Sequence, residues 1–277
     1  GTVDKEKLEY YKKLGINRLS IGLQNTSDYI LKILGRIHTY KDFLNVYNMA
    51  RQVGFKNINV DLMIGVPTQN IDNVKDNVSQ ILDLKPEHIS VYSLIVEENT
   101  PIEKKISSDE LILPSEDLER EMYWYVKNKL EENGYKHYEI SNFAKEGKES
   151  RHNMSCWNQE EYLGFGVAAH SYLNNERFSN TENLDEYIVK DLLEIKQINE
   201  IQDILDKQKE YMMLGLRKID GVSISKFKQK YVNNPVYLFK EEINKLSKEG
   251  LLQVDLDNIK LTKKGIDLAN LVWEEFI

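Results

Sequence analysis

The sequence predicts an α/β fold: strand–helix units laid on a parallel sheet, followed by a small, mainly helical domain. Three observations carry this. Segments with apolar residues at helical spacing alternate with segments of period-two alternation, an order that implies βαβ units. The helical segments stop at Gly15, at Gly54 and before Pro86, where glycine and proline end helices. From about residue 205 the pattern becomes helix, helix, helix and short hairpin, the order of a winged helix.

KLEYYKKLG reads as the first helix, capped by Thr2 or Asp4, and INRLSIGLQ as the first strand. DFLNVYNMARQVG and NINVDLMIGV form the second pair. NIDNVKDNVSQILDLKP, with Val74, Val78, Ile81 and Leu82 at helical spacing, and EHISVYSLIV form the third. Alternation assigns the strand faces. Leu19, Ile21 and Leu23 share one face, as do Ile58, Val60, Leu62 and Ile64; these apolar faces belong under the helices. Ser20, Gly22 and Gln24, like Asn59, Asp61 and Met63, point the other way, a mixture suited to a barrel or cleft that binds something. Residues 115–133 read as a helix ending at Gly134, KHYEISNFA as one more strand, RHNMSCW to SYLN as loop, and residues 181–198 as the start of another helical region. The expected division is 1–110 for the barrel, 111–200 for a connecting region and 201–277 for the winged-helix-like domain.

A hydrophobic content of 41% supports a packed core. The net charge of −8 argues against a nucleic-acid partner. Residues 205–277 hold 13 Lys/Arg against 11 Asp/Glu, intermingled, so a packing role outweighs DNA binding there. No run approaches the roughly 18 apolar residues of a membrane span. A single cysteine excludes an internal disulfide and any cysteine-ligated cluster built by this chain alone, and suits a reducing cytoplasm.

Gln24 and Asp61 fall late in two parallel strands on the non-helical face, where ligands of such folds gather. An amide and a carboxylate there suit ribose hydroxyls or an ammonium group, and Arg36 offers a carboxylate-binding fork. The alternative left open is a salt bridge from Asp61 to Arg36 or Arg18. GFG at 164–166 lacks the third glycine and the strand–helix context of a dinucleotide site. RHNMSCWNQ contains the lone cysteine. His152 reads either as an iron ligand or as a histidine hydrogen-bonded within a loop, and His170 leaves the same choice. Cys156 needs a neighbouring base or cation to act as a nucleophile, and His152 reaches it only if the segment is helical. Trp157 and Tyr162 read as core or pocket wall.

GINRLSIGLQ, LGRIHTY, NVDLMIGVP, HISVYSL, YEISNFAK, RHN with a following tryptophan, and YLGFGVAAHSYL occur in the order seen in the HemN/HemW group of radical S-adenosylmethionine (SAM) proteins, which the chain resembles over nearly its whole length. The resemblance implies a partial (β/α)6 radical-SAM barrel, a C-terminal HemN domain, SAM and a [4Fe–4S] cluster. Motif by motif it puts Gln24, Arg36 and Asp61 at SAM-contacting positions, and Ile95 and His170, less directly, beside the nucleoside. The CxxxCxxC and GGGTP segments of the group are absent, and GTV resembles the tail of an NPGTV segment, which implies N-terminal truncation. The chain as written is then expected neither to hold the cluster nor to cleave SAM, and no residue of its own is assigned a catalytic role. The RHN segment resembles the HemW branch, whose HNxxYW pattern is tied to haem. Here it runs from His152 and Asn153 to Trp157, with Cys156 at the tyrosine position. This implies a haem chaperone with His152 as haem-iron ligand, haem b as cargo, haem-accepting proteins as partners and, compatibly, peripheral membrane association. An oxygen-independent coproporphyrinogen III oxidase and a cluster-free binding protein are the alternatives.

Overall fold

The computed structural model describes residues 3–277; Gly1 and Thr2, and with them the Thr2 cap and the start of GTV, lie outside the described residues. The chain divides into two compact units, Gly1–Glu149 and Ser150–Ile277, and residues 111–200 are shared between them.

In the first unit α1 (Lys5–Lys13) starts at Asp4, whose carboxylate accepts the Lys7 amide. β1 (Leu19–Gln24), α2 (Asp28–Ile33), α3 (Tyr40–Val53), β2 (Ile58–Ile64), α4 (Ile71–Leu84) and β3 (His88–Ser93) follow. Capping boxes at Thr39 and Asn70 start α3 and α4. Gly54, at φ 94°, ends α3 in the left-handed conformation that glycine adopts without steric cost. β1, β2 and β3 pair in parallel, as the alternation requires. Their apolar face, including Leu23, Ile58, Val60, Leu62, Ile64 and Ile89, is buried in one core with Phe43, Val74, Val78 and Ile81 of the helices. α2 is an addition to the expected order.

α5 (Pro101–Ser107) and α6 (Glu116–Glu132), the latter capped by Ser115, precede β4 (Lys136–Glu139) and β5 (Asn142–Ala144). KHYEISNFA is therefore not one strand but an antiparallel hairpin turning at Ile140 and Ser141. The turn carries no glycine or proline. Tertiary bonds hold it: the Tyr123 hydroxyl donates to the Ile140 carbonyl at 2.9 Å, and the Val91 amide to the Ser141 carbonyl at 2.7 Å. The sheet order is β1-β2-β3-β5-β4.

In the second unit α7 (Arg151–Trp157) leads to β6 (His170–Leu173), β7 (Glu176–Asn180), α8 (Leu184–Val189), α9 (Leu192–Ile195) and β8 (Lys196–Ile201). RHNMSCW is thus a helix, not a loop, and SYL belongs to a strand. Residues 181–198 form two short helices that run into β8, completing the antiparallel sheet β6-β7-β8. α10 (Ile204–Gly215), β9 (Val222–Ser223), α11 (Ile224–Tyr231), α12 (Pro235–Leu238), α13 (Lys240–Lys248), β10 (Leu252–Val254) and β11 (Asn258–Leu261) build the winged helix, with sheet order β10-β11-β9. α14 (Lys263–Asp267) and α15 (Ala269–Glu274) close the chain. Among the described residues no helix is long and apolar enough to cross a membrane.

Candidate functional site

Strand pairing lines up polar residues in rows across the non-helical face of the first unit. Ser20, Asn59 and His88 form one row; Gly22, Asp61, Ser90 and Asn142 form the next. The Asp61 carboxylate accepts from Asn59 Nδ2 at 2.7 Å and from Ser20 Oγ at 3.3 Å. Among the described residues no ion pair joins it to Arg18 or Arg36, so the salt-bridge alternative is not the arrangement found.

These bonds fix a chain of donors and acceptors. Asn59 must turn its NH2 to the carboxylate, which leaves its Oδ1 facing His88 Nδ1 at 2.6 Å and Ser90 Oγ at 3.1 Å. Nδ1 therefore carries the imidazole proton. Nε2, at 2.8 Å from the Tyr138 hydroxyl, then accepts. His88 is fully buried, and burial, with Arg18 adding to it, pulls its pKa down to about 3. The histidine stays neutral, and the network keeps Asp61 oriented at neutral pH.

At the end of β1 the ladder is irregular between Gly22 and Gln24. Gln24 takes φ 73°, unusual for a residue with a side chain. Its amide folds back over Gly22: a Cβ added at Gly22 would lie 3.0 Å from Gln24 Nε2 and 3.9 Å from Asp61 Oδ2. The structure thus brings Gln24 and Asp61 together. Gln24 Oε1 and Asn142 Oδ1 are buried acceptors without a hydrogen-bond partner. Arg36 is exposed in the loop after α2, and that loop returns His38 Nε2 to the Leu23 carbonyl at 3.3 Å. Ile95 is 77% exposed in the loop after β3. A cleft of about 360 Å³ opens along β1, lined by Ser20, Gly22, His38 and Asp42 among others. Ser90 and Asn142 were not singled out from sequence, and Ser20 and Asn59 were placed on the polar face without a role of their own. Their signal was register: each sits on the polar face in line with Gly22, Asp61 or a direct neighbour.

In the second unit Ser150 caps α7 through the Asn153 amide and also reaches Asn153 Oδ1 at 3.0 Å. His152 is exposed. Because the segment is helical, its Nε2 lies 4.0 Å from Cys156 Sγ, one turn on. Burial pushes the Cys156 thiol up, with Arg177 acting against it, so the sulfur stays protonated at neutral pH. That is the reverse of an activated nucleophile. Trp157 is half-buried, and the Arg217 guanidinium lies 4.5 Å from its ring centre. His170, at the start of β6, is exposed and belongs to this unit, not to that of Gln24 and Asp61. At GFG the backbone runs close against β6: a Cβ at Gly164 would come 2.2 Å from the His170 carbonyl oxygen.

Residues 1–81 match the Radical SAM superfamily model, and residues 205–268 match the HemN C-terminal domain. The protein named heme chaperone HemW of Bacillus subtilis is 39% identical over 276 residues, covering 98% of this chain and 72% of that protein. The chain belongs to the HemN/HemW family of radical SAM proteins. The Lactococcus lactis heme chaperone HemW is 38% identical and covers all of the chain and 73% of its own length. Among solved structures, coproporphyrinogen III oxidase (HemN) from Escherichia coli superposes with TM-score 0.79 at 21% identity, covering 99% of this chain and 67% of that one; this is a likeness of fold. The HemN/HemW assignment implies SAM and a [4Fe–4S] cluster. The donor set of the first unit fits SAM: the orphaned Gln24 Oε1 and the Asp61 carboxylate accept what ammonium and ribose groups donate. The chain's residues do not fit the cluster, since its one cysteine is Cys156 in the second unit.

Proposed function

We propose that this chain acts as a HemW-type haem chaperone, carrying haem b on α7 and SAM on the polar face of the first unit, for delivery of haem to haem-requiring proteins in the cytoplasm. The observation that carries this reading is α7. In its first turn, two residues past the Ser150 cap, this helix displays an exposed imidazole at His152, in a chain 39% identical to a protein named heme chaperone HemW.

The chain's own groups divide the work. His152 offers an imidazole nitrogen lone pair to the haem iron. Cys156 is the neighbouring soft donor, but its protonated thiol does not compete as a thiolate. Asn153, tied to Ser150, holds the first turn. Trp157 supplies an aromatic wall at the other end. In the first unit Gln24 Oε1 and Asp61 would accept hydrogen bonds from SAM, with Arg36 offering its guanidinium to the SAM carboxylate and Ile95 an apolar contact. His170 stays a candidate contact to the nucleoside by resemblance alone.

Haem b titrated into the purified chain, followed by mixing with an apo-haem protein, tests the proposal. Saturable binding with transfer is expected. Absence of saturable binding, or binding without transfer, would contradict it.

A further inference from the structure

α7 has seven residues and buries none of them fully. A helix this short does not hold its own geometry in water. What fixes it lies just past the candidate ligand. Three consecutive residues, Trp157, Asn158 and Gln159, are each gripped by residues of the C-terminal domain within the same unit.

The Arg217 guanidinium sits between two indoles, 4.5 Å from the Trp157 ring centre and 4.2 Å from that of Trp273. Such stacking is directional, and the flat guanidinium suits it in a way that an ammonium does not. Lys218, the next residue, donates from Nζ to Asn158 Oδ1 at 2.7 Å. Gln159 is 3% exposed and takes φ 53°. Its Nε2 donates to the Lys207 carbonyl at 3.0 Å and to Glu210 Oε2 at 2.7 Å. Its Oε1 accepts from Lys230 Nζ at 3.2 Å and from the Tyr231 hydroxyl. Glu210 is itself held by Arg177 Nη2 at 2.5 Å. Every side-chain polar atom of Gln159 is thus engaged, which makes the position of the helix end specific.

We propose that the Trp157–Arg217–Trp273 stack, together with Tyr231 on Gln159, is a clamp by which the winged-helix-like domain sets the orientation of α7 and so of the His152 imidazole toward haem iron. Arg217 and Tyr231 are positioning residues and touch no haem. The clamp rests on the reading of His152 as haem ligand, and it gives the C-terminal domain a task other than nucleic-acid binding.

The test compares Arg217→Ala, Arg217→Lys, Tyr231→Phe and His152→Ala in the full chain, each titrated with haem b. Far-UV circular dichroism and the thermal midpoint monitor folding. Arg217→Ala is expected to weaken haem affinity by about ten- to one-hundredfold, the range seen when partners that orient a metal ligand are lost. It is also expected to lose part of the imidazole-ligated spectrum. Arg217→Lys should fall between it and the parent. Added free imidazole should restore the ligated spectrum in Arg217→Ala, because a ligand supplied from solution bypasses orientation; a general loss of structure would not be rescued. Where Arg217→Ala fails to fold, Tyr231→Phe, which removes one hydroxyl, decides by the same readouts. Parent-like affinity and spectrum in Arg217→Ala and Tyr231→Phe, with ligation lost in His152→Ala, would overturn the clamp and leave the haem reading standing. Unchanged ligation in His152→Ala would overturn both.

Discussion

Gln24 holds a φ of 73° at the end of β1 and keeps its Oε1 buried and unpartnered. Both features cost stability: the left-handed backbone of a non-glycine residue is of order 1 kcal/mol or more, and an unpaired buried acceptor adds to that. A protein retains such a residue where a ligand completes it. Gln24→Gly is therefore expected to raise the thermal midpoint while weakening SAM binding about tenfold, as measured by equilibrium dialysis. A midpoint that falls would contradict the strain account. The sequence pointed to Gln24 and Asp61 through strand position and face. It left open whether Asp61 was salt-bridged, because the choice depends on Asn59 and Ser20 standing in register beside it, and register is a property of paired strands.

At the scale of elements, the three parallel strand–helix units were legible because each has its own period and its own stop signal. α7 and the β4–β5 hairpin were not. α7 is only seven residues long, buries none of them fully, and owes its shape to contacts made at residues 157–159 with residues far along the chain. The hairpin turns at Ile140 and Ser141, of which only Ser141 has a turn preference, and no glycine or proline marks the position. The sheet carries a pH signature. His88 is held near pKa 3 and His137 near 4, mainly by burial, against an ordinary value of 6.5. Between pH 6.5 and these values the unfolded chain binds protons that the folded chain refuses, so stability falls as pH falls through that window. Each histidine contributes up to about 1.4 kcal/mol per pH unit. Denaturant unfolding at a series of pH values should show this slope, and no such loss between pH 7 and 8 from these groups. Asn59→Ala should destabilise the first unit by about 2 kcal/mol, since it strips partners from both Asp61 and His88. A change within 0.5 kcal/mol, roughly that of an ordinary surface substitution, would contradict the network.

For the whole molecule, two units carry two sets of groups. The first presents acceptors on the polar face of its sheet; the second presents an imidazole on a clamped helix. The family could be read from motifs in order along the sequence, and the relatives bear it out across 98% of the chain. The grip of the winged-helix-like domain on α7 could not be read that way, because it joins residues 157–159 to 207–231 and 273 by hydrogen bonds and stacking between positions far apart in the chain. The central claim is that His152, and not the neighbouring thiol, meets the haem iron. Absorption spectra of the haem-loaded chain test it most directly when His152→Ala and Cys156→Ser are recorded beside the parent. The account predicts that Cys156→Ser keeps the parent's Soret band and affinity while His152→Ala loses them. Loss of the band in Cys156→Ser with retention in His152→Ala would contradict it.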